Sequence, residues 1–234
     1  MKTLTIKLTA PLQSYGNEAA SFNRRTTYPY PSKSAVLGMI GAALGYRRND
    51  PRLTTLNRLG FAVRIDQIGQ PLTDFQIIHI NDAQGNTIGY RYYLEDAIYV
   101  AAIYGPDAVI QKIAHALHHP KFQLSLGRRS NPPAGSLQTK IHNADPISVL
   151  STLPWQASDW YQRKLSLQKV FNAAIISDYQ LSHADYLPKE YAKDLIGSFS
   201  SQHRWHKTRP IVKLSVDLMN PYYDPNSDDF YAAI

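Results

Sequence analysis

The sequence predicts an α+β fold, and three observations carry that expectation: a period-2 apolar strand at the start, a capped apolar helix after it, and the same alternation repeated beyond a long hairpin. In "TLTIKLTAP", Leu4, Ile6 and Leu8 alternate with Thr3, Thr5, Lys7 and Thr9, and Pro11 ends the strand. Ser32 after Pro31 is the helix N-cap, Val36, Leu37, Ile40, Ala43 and Leu44 share one stripe, and Gly45 is the C-terminal cap. "FAVRID" returns as a strand with Phe61, Val63 and Ile65 on one side. "FQIIHI" and "IGYRYYL" flank the turn "DAQGNT" as a hairpin over about 68–94, and "AIYVAAIYG" continues as a buried strand. Gly105 and Pro106 open a helix with Val109, Ile113, Ala116 and Leu117 on one face, closing at His118, His119 and Pro120. "KFQLSLG" is a short strand after it. Strand, helix, strand, strand, helix, strand is the split βαβ order of a ferredoxin-like or RNA-recognition fold, which offers an open sheet face. On this reading residues 1–135 form the first domain, 136–220 a smaller mixed, β-rich part with the strand "RPIVKLSVDL", and 221–234 an acidic tail.

Charge and composition narrow the function. A formal net charge of +7 favours a polyanionic partner, nucleic acid or an anionic membrane surface. No run of about 20 apolar residues suits a bilayer, and "MKTLTIKLTAP" is too polar and too regularly alternating for a signal peptide, so the expectation is a cytoplasmic protein that binds nucleic acid. Sixteen tyrosines suit a surface that stacks and hydrogen-bonds at once. The absence of cysteine removes disulfides, thiolate metal sites and a cysteine nucleophile together.

Five stretches carry the chemistry. "LGRRSNPP" sets Arg128, Arg129 and Ser130 after a glycine that lets backbone approach phosphates, although a solvated basic turn explains the same residues. Arg24 and Arg25 precede the first helix, Lys33 stands at its N-terminal end, and Arg47 and Arg48 follow it. The last two suit the negative helix end, whereas Lys33 opposes the dipole, a conflict that a phosphate on the free amides would relieve. Gly38 and Gly41 weaken that helix by about 1 kcal/mol each relative to alanine, and close packing of helix on sheet is the return expected for them. In "PLQSYG", Gln13 and Tyr15 can read and stack a base or simply cap a turn, and Tyr90 and Arg91 stand with His79, Tyr92 and Tyr93 on the hairpin. "SSQHRWHKTRP" adds His203, Arg204, Trp205, His206, Lys207 and Arg209. His115, His118 and His119 lack a carboxylate motif and read as helix-end imidazoles, so no metal and no cofactor is expected.

"LTAPLQSYG", "RRTTYPYPSKSAVLGMIGAALGYRRND", "YRYYLEDAIYVAAI" and "LGRRSNPP" together, in that order, resemble the CasD family of CRISPR Cascade subunits, the type I-E branch of the repeat-associated RNA-binding (RAMP) superfamily. The resemblance implies a ferredoxin-like N-terminal domain with a projecting thumb hairpin. It implies a non-catalytic subunit that holds the 5′ handle of CRISPR RNA beside the backbone and large subunits, meets target DNA only indirectly, and has no membrane or homo-oligomeric role. Gln13, Tyr15, Arg25, Lys33, Arg47, Arg128, Arg129 and Ser130 stand in the matching motifs. Two alternatives stay open at this point: a metal-independent endoribonuclease that processes CRISPR repeat RNA, since one branch of the broader family uses a Tyr, Lys and His set, and a generic single-strand or ribosome-associated RNA-binding protein.

Overall fold

The structure, a computed structural model, describes residues 1–16, 24–81, 85–182, 187–200 and 202–225. In chain order its strands are β1 (Lys2–Thr9), β2 (Leu12–Gln13), β3 (Arg24–Arg25), β4 (Gly60–Gln67), β5 (Gln70–Asn81), β6 (Gly85–Glu95), β7 (Ile98–Gly105), β8 (Gln138–His142), β9 (Val170–Asp178), β10 (Glu190–Phe199) and β11 (Arg204–Met219). The α-helices are α1 (Lys33–Ala43), α2 (Arg52–Thr55), α3 (Asp107–His118), α4 (Pro146–Thr152) and α5 (Asp159–Lys164). It is a mixed α+β protein dominated by antiparallel sheet.

A seven-stranded sheet in the order β10-β11-β9-β4-β7-β1-β8 is antiparallel at every pairing. Strand alternation divides its side chains between two cores. Leu4, Ile6, Phe61, Val63, Ala101 and Ile103 pack with α1 and α3, whereas Ala62, Val100, Ala102 and Ile175 pack on Leu150 of α4. The interval 136–220, set apart in the sequence reading, supplies β8 to one edge of this sheet and β9 to β11 to the other. A second sheet runs β2-β6-β3 with β5 also on β6, so the expected hairpin is present as two long paired arms. Its turn at 82–84 and the tail from 226 lie outside the described residues.

Two expectations need correction. "KFQLSLG" is not a strand: Lys121 and Phe122 donate their amides to the carbonyls of Ala43 and Ala42 at the end of α1 (3.0 and 3.2 Å), and the strand that follows α3 in the sheet is β8. The segment's hydrogen bonds satisfy orphan helix carbonyls instead of a ladder. On α3, Val109 is exposed and Ile110 takes its place beside Ile113, Ala116 and Leu117.

Helix α1 shows why its glycines are kept. A Cβ on Gly41 would lie 2.5 Å from the Leu53 side chain, and one on Gly38 would lie 3.3 Å from the Phe199 ring. The close contacts are therefore with α2 and the end of β10. Beyond the helix, Gly45 (φ +80°) donates to Ala42 and Tyr46 to Gly41, a Schellman ending that turns Arg47 and Arg48 out to solvent.

Candidate nucleic-acid interface

The N-terminal end of α1 holds a buried ionic cluster. The Ser32 hydroxyl accepts from the Ala35 amide at 3.4 Å, and the Lys33 amide donates to Asp194 Oδ2 at 2.7 Å. Lys33 Nζ donates to Asp178 Oδ2 at 2.8 Å. Arg209 donates through Nε and Nη2 to Asp194 (2.6 and 3.0 Å) and through Nη1 to Asp178 (2.6 Å), while the Phe61 amide also donates to Asp178 (2.8 Å). Burial alone would lower the Arg209 pKa, but the two carboxylates outweigh it and leave it raised. The Lys33 pKa is lowered because loss of hydration exceeds the attraction of Asp178.

Three expected contact residues are thereby corrected. Lys33 is 2% exposed, and the negative charge its position called for is supplied by Asp178 and Asp194, not by a phosphate. Gln13 and Tyr15 are also buried. The Tyr15 hydroxyl donates to Gln13 Oε1, the Gln13 amide donates to the Ala97 carbonyl (both 2.6 Å), and burial pushes the Tyr15 hydroxyl pKa well up. These two side chains form a strut, not a base reader. Tyr15 pairs with Tyr28 through an antiparallel bridge, which seats the chain that carries β3.

Around that strut several arginines converge. Strand β3 runs parallel to β6, setting Arg24 against Tyr90 and Arg25 against Arg91. The Arg24 guanidinium lies 5.9 Å from the Tyr90 ring centroid. Arg128 lies 4.8 Å over the Tyr93 ring and donates from Nη2 to the Arg25 carbonyl. Its loop is fixed by Gly127 (φ +87°), where a Cβ would stand 1.7 Å from the Ser14 carbonyl oxygen. The close approach that this glycine permits is to the protein's own backbone. Ser130 donates to Asn131 Oδ1 at 3.0 Å, and the Asn131 amide closes the turn on Arg128.

Arg204, at the start of β11, completes the group. Its guanidinium sits 5.5 Å from the Phe199 ring, and its pKa is lowered first by lost hydration and then by the positive charges of Arg48 and Arg25. Three chain segments thus bring Arg25 and Arg48 close enough for their charges to act on Arg204, and Arg128 is tied to them through the Arg25 backbone. Arg47, Arg129 and Lys207 are exposed on the flanking residues. Gathering like charges raises the free energy of the isolated protein and creates a potential that a polyanion relieves. Phe199 escaped the sequence reading because no local pattern marks it as the shelf for Arg204. Asp178 and Asp194 escaped it because they stand 145 and 161 residues from Lys33.

One face of the hairpin is apolar. Phe75 pairs with Tyr90 and Ile77 with Ile88, so these four residues form one ladder on one face, and all are exposed. Elsewhere, the His115 and His119 rings stack at 4.5 Å and His118 meets the Thr139 hydroxyl at 2.8 Å. Among the described residues no group of three or more His, Asp or Glu side chains is arranged to hold a metal, and no helix is long and apolar enough to cross a membrane.

Comparison with known proteins shows the family. The family model described as CRISPR-associated protein (Cas_Cas5) matches residues 3–211. The CRISPR system Cascade subunit CasD of Escherichia coli (strain K12) is 32% identical over 149 residues, 55% of this chain and 66% of that relative, so the match spans just under two thirds of the relative's length. Among solved structures, a chain of a CRISPR RNA-guided surveillance complex is similar with a TM-score of 0.74 at 29% identity, covering 97% of this chain and 95% of its own. A solved Cas protein is similar with a TM-score of 0.61 at 25% identity, covering 95% and 99%. The chain belongs to the Cas5 family of CRISPR-associated proteins.

Proposed function

We propose that this protein is a non-catalytic subunit of a cytoplasmic CRISPR RNA-guided surveillance complex, where it holds the single-stranded 5′ handle of the guide RNA. The observation that carries the reading is the convergence of Arg25, Arg48 and Arg204, with Arg128 attached, on one exposed surface. The run β4-β7-β1-β8 with α1 and α3 is read as the ferredoxin-like unit, which then extends through β8 and past residue 135. The β5–β6 hairpin is read as the thumb, and its exposed apolar ladder suits contact with a neighbouring backbone or large subunit better than contact with RNA. Target DNA is met only through the assembled complex.

The test is a gel with end-labelled repeat RNA, the full chain and EDTA, run native and denaturing beside a scrambled RNA. A handle-dependent shift with intact RNA is the expected result. A specific cut at the handle boundary would make the chain a processing ribonuclease instead, and equal binding to scrambled RNA would make it a general single-strand binder. Each neutralised phosphate should contribute about −0.7 to the log–log salt slope, so a slope near zero would overturn the reading.

A further inference from the structure

Trp205 follows Arg204 in β11 and rests on a bed made for it. Strands β10 and β11 pair Ser198 with Trp205 and Phe199 with Arg204, and a register shift between Ile196 and Ser198 leaves Gly197 without a ladder partner. A Cβ on Gly197 would lie 2.5 Å from indole Cδ2 and Cε3 and 2.8 Å from Cε2. These are contiguous ring atoms around the ring junction at nearly equal distance, so a face of the indole, not its rim, rests on the strand. Any other residue at 197 would displace the ring. Trp205 as a residue nonetheless remains 41% exposed. Lys207 Nζ lies 5.7 Å from its centroid, and the preceding residue is Arg204, which feels Arg48 and Arg25. Phe199 anchors this end of the ribbon to α1 through Gly38.

A flat aromatic surface, rigidly backed and with the Lys207 ammonium beside it, is the arrangement that stacks an unpaired base while a neighbouring cation neutralises its phosphate. We infer that Trp205 is a base-stacking platform for single-stranded RNA, extending the arginine cluster from backbone neutralisation to contact with a base. The inference rests on the RNA-binding reading above. The Lys207 charge favours this occupant over an apolar protein segment, because a protein docking on Trp205 would also have to cover that ammonium group.

The test uses the full chain and labelled repeat-derived single-stranded RNA, with anisotropy titrations across salt concentrations and a scan of single abasic substitutions. Trp205→Leu should weaken binding by about 5- to 150-fold, the loss of one base–aromatic stack. Its salt slope should be unchanged, because no cation is removed. Trp205→Phe should retain most of the affinity. In the wild type one abasic position should reproduce the loss, and in Trp205→Leu that position should cease to matter. Unchanged thermal unfolding in Trp205→Phe keeps the comparison valid if the leucine variant folds poorly. Wild-type binding with a steep salt slope that is indifferent to both Trp205 variants would overturn the platform and leave the RNA-binding reading standing. No binding by the wild type even at low salt would overturn both.

Discussion

The cluster at the start of α1 and the cluster formed by β3, the turn after α1 and β11 use the same kinds of cation in opposite ways. Lys33 and Arg209 are buried and matched by Asp178 and Asp194, whereas Arg25, Arg48 and Arg204 are exposed, and the charges of the first two act on the third. The first arrangement is satisfied within the chain and can only lose by disturbance. The second is left in tension and gains from an anionic partner. Basic residues near a helix therefore say little about binding until their counter-charges are located. Arg209 and Arg204, five residues apart on one strand, fall on opposite sides of that division.

The largest effect that would break the comparison is at Asp178. Asp178→Ala removes the acceptor for Lys33 Nζ, for Arg209 Nη1 and for the Phe61 amide, all in the interior. Stranding buried charge in this way should lower stability by about 3–5 kcal/mol in urea unfolding. A loss below about 1 kcal/mol would mean that solvent reaches the cluster and that Lys33 is available to RNA after all.

That residue also marks how far the sequence could be read. Leu4, Ile6 and Leu8, the Ser32 cap and the Gly45 ending were legible because each depends on neighbours within one turn or one alternation. The conflict of Lys33 with the helix dipole was legible too, but its resolution was not, since the carboxylates come from β9 and β10. "KFQLSLG" carries a strand's pattern and becomes a loop because the carbonyls at the end of α1 take its amides. The basic loops were visible individually. Their convergence depends on the β10–β11 ribbon packing against α1, which no local pattern announces.

Next in size is the surface cluster. Replacing Arg25, Arg48 and Arg204 together with glutamine should flatten the salt slope for single-stranded RNA by about 2, at 0.7 per phosphate contact. Unfolding should show stability unchanged or slightly raised, because mutual repulsion is removed. A stability loss like that of Asp178→Ala would place these arginines in the structural class. Gly127→Ala tests the backbone that aims Arg128. The clash with Ser14 and the φ of +87° should reduce stability by about 1–3 kcal/mol and weaken RNA binding as well, both measurable on one preparation. An alanine variant with native stability would show that the 126–131 loop is free to move.

The smallest effect lies at the far edge of the sheet, where His142 meets the Thr5 hydroxyl at 3.1 Å. It belongs to neither class: partial burial lowers its pKa below 6.5, and the nearby charge of Lys140 lowers it further. In the unfolded chain the imidazole titrates near 6.5, so between that value and the lower folded pKa the unfolded state binds more protons. Stability should therefore fall as pH drops through 6.5 and level off below the folded pKa, with this group silent well above 6.5. His142→Asn should remove that slope, and Lys140→Gln should shrink it by raising the folded pKa toward the unfolded one. Urea midpoints of the three proteins between pH 7.5 and 5, a range of about 2.5 units spanning the ordinary imidazole pKa, read both changes. If Lys140→Gln left the slope as steep as in the wild type, the perturbation at this edge would come from burial alone, and cation–cation tension would be confined to the arginine cluster.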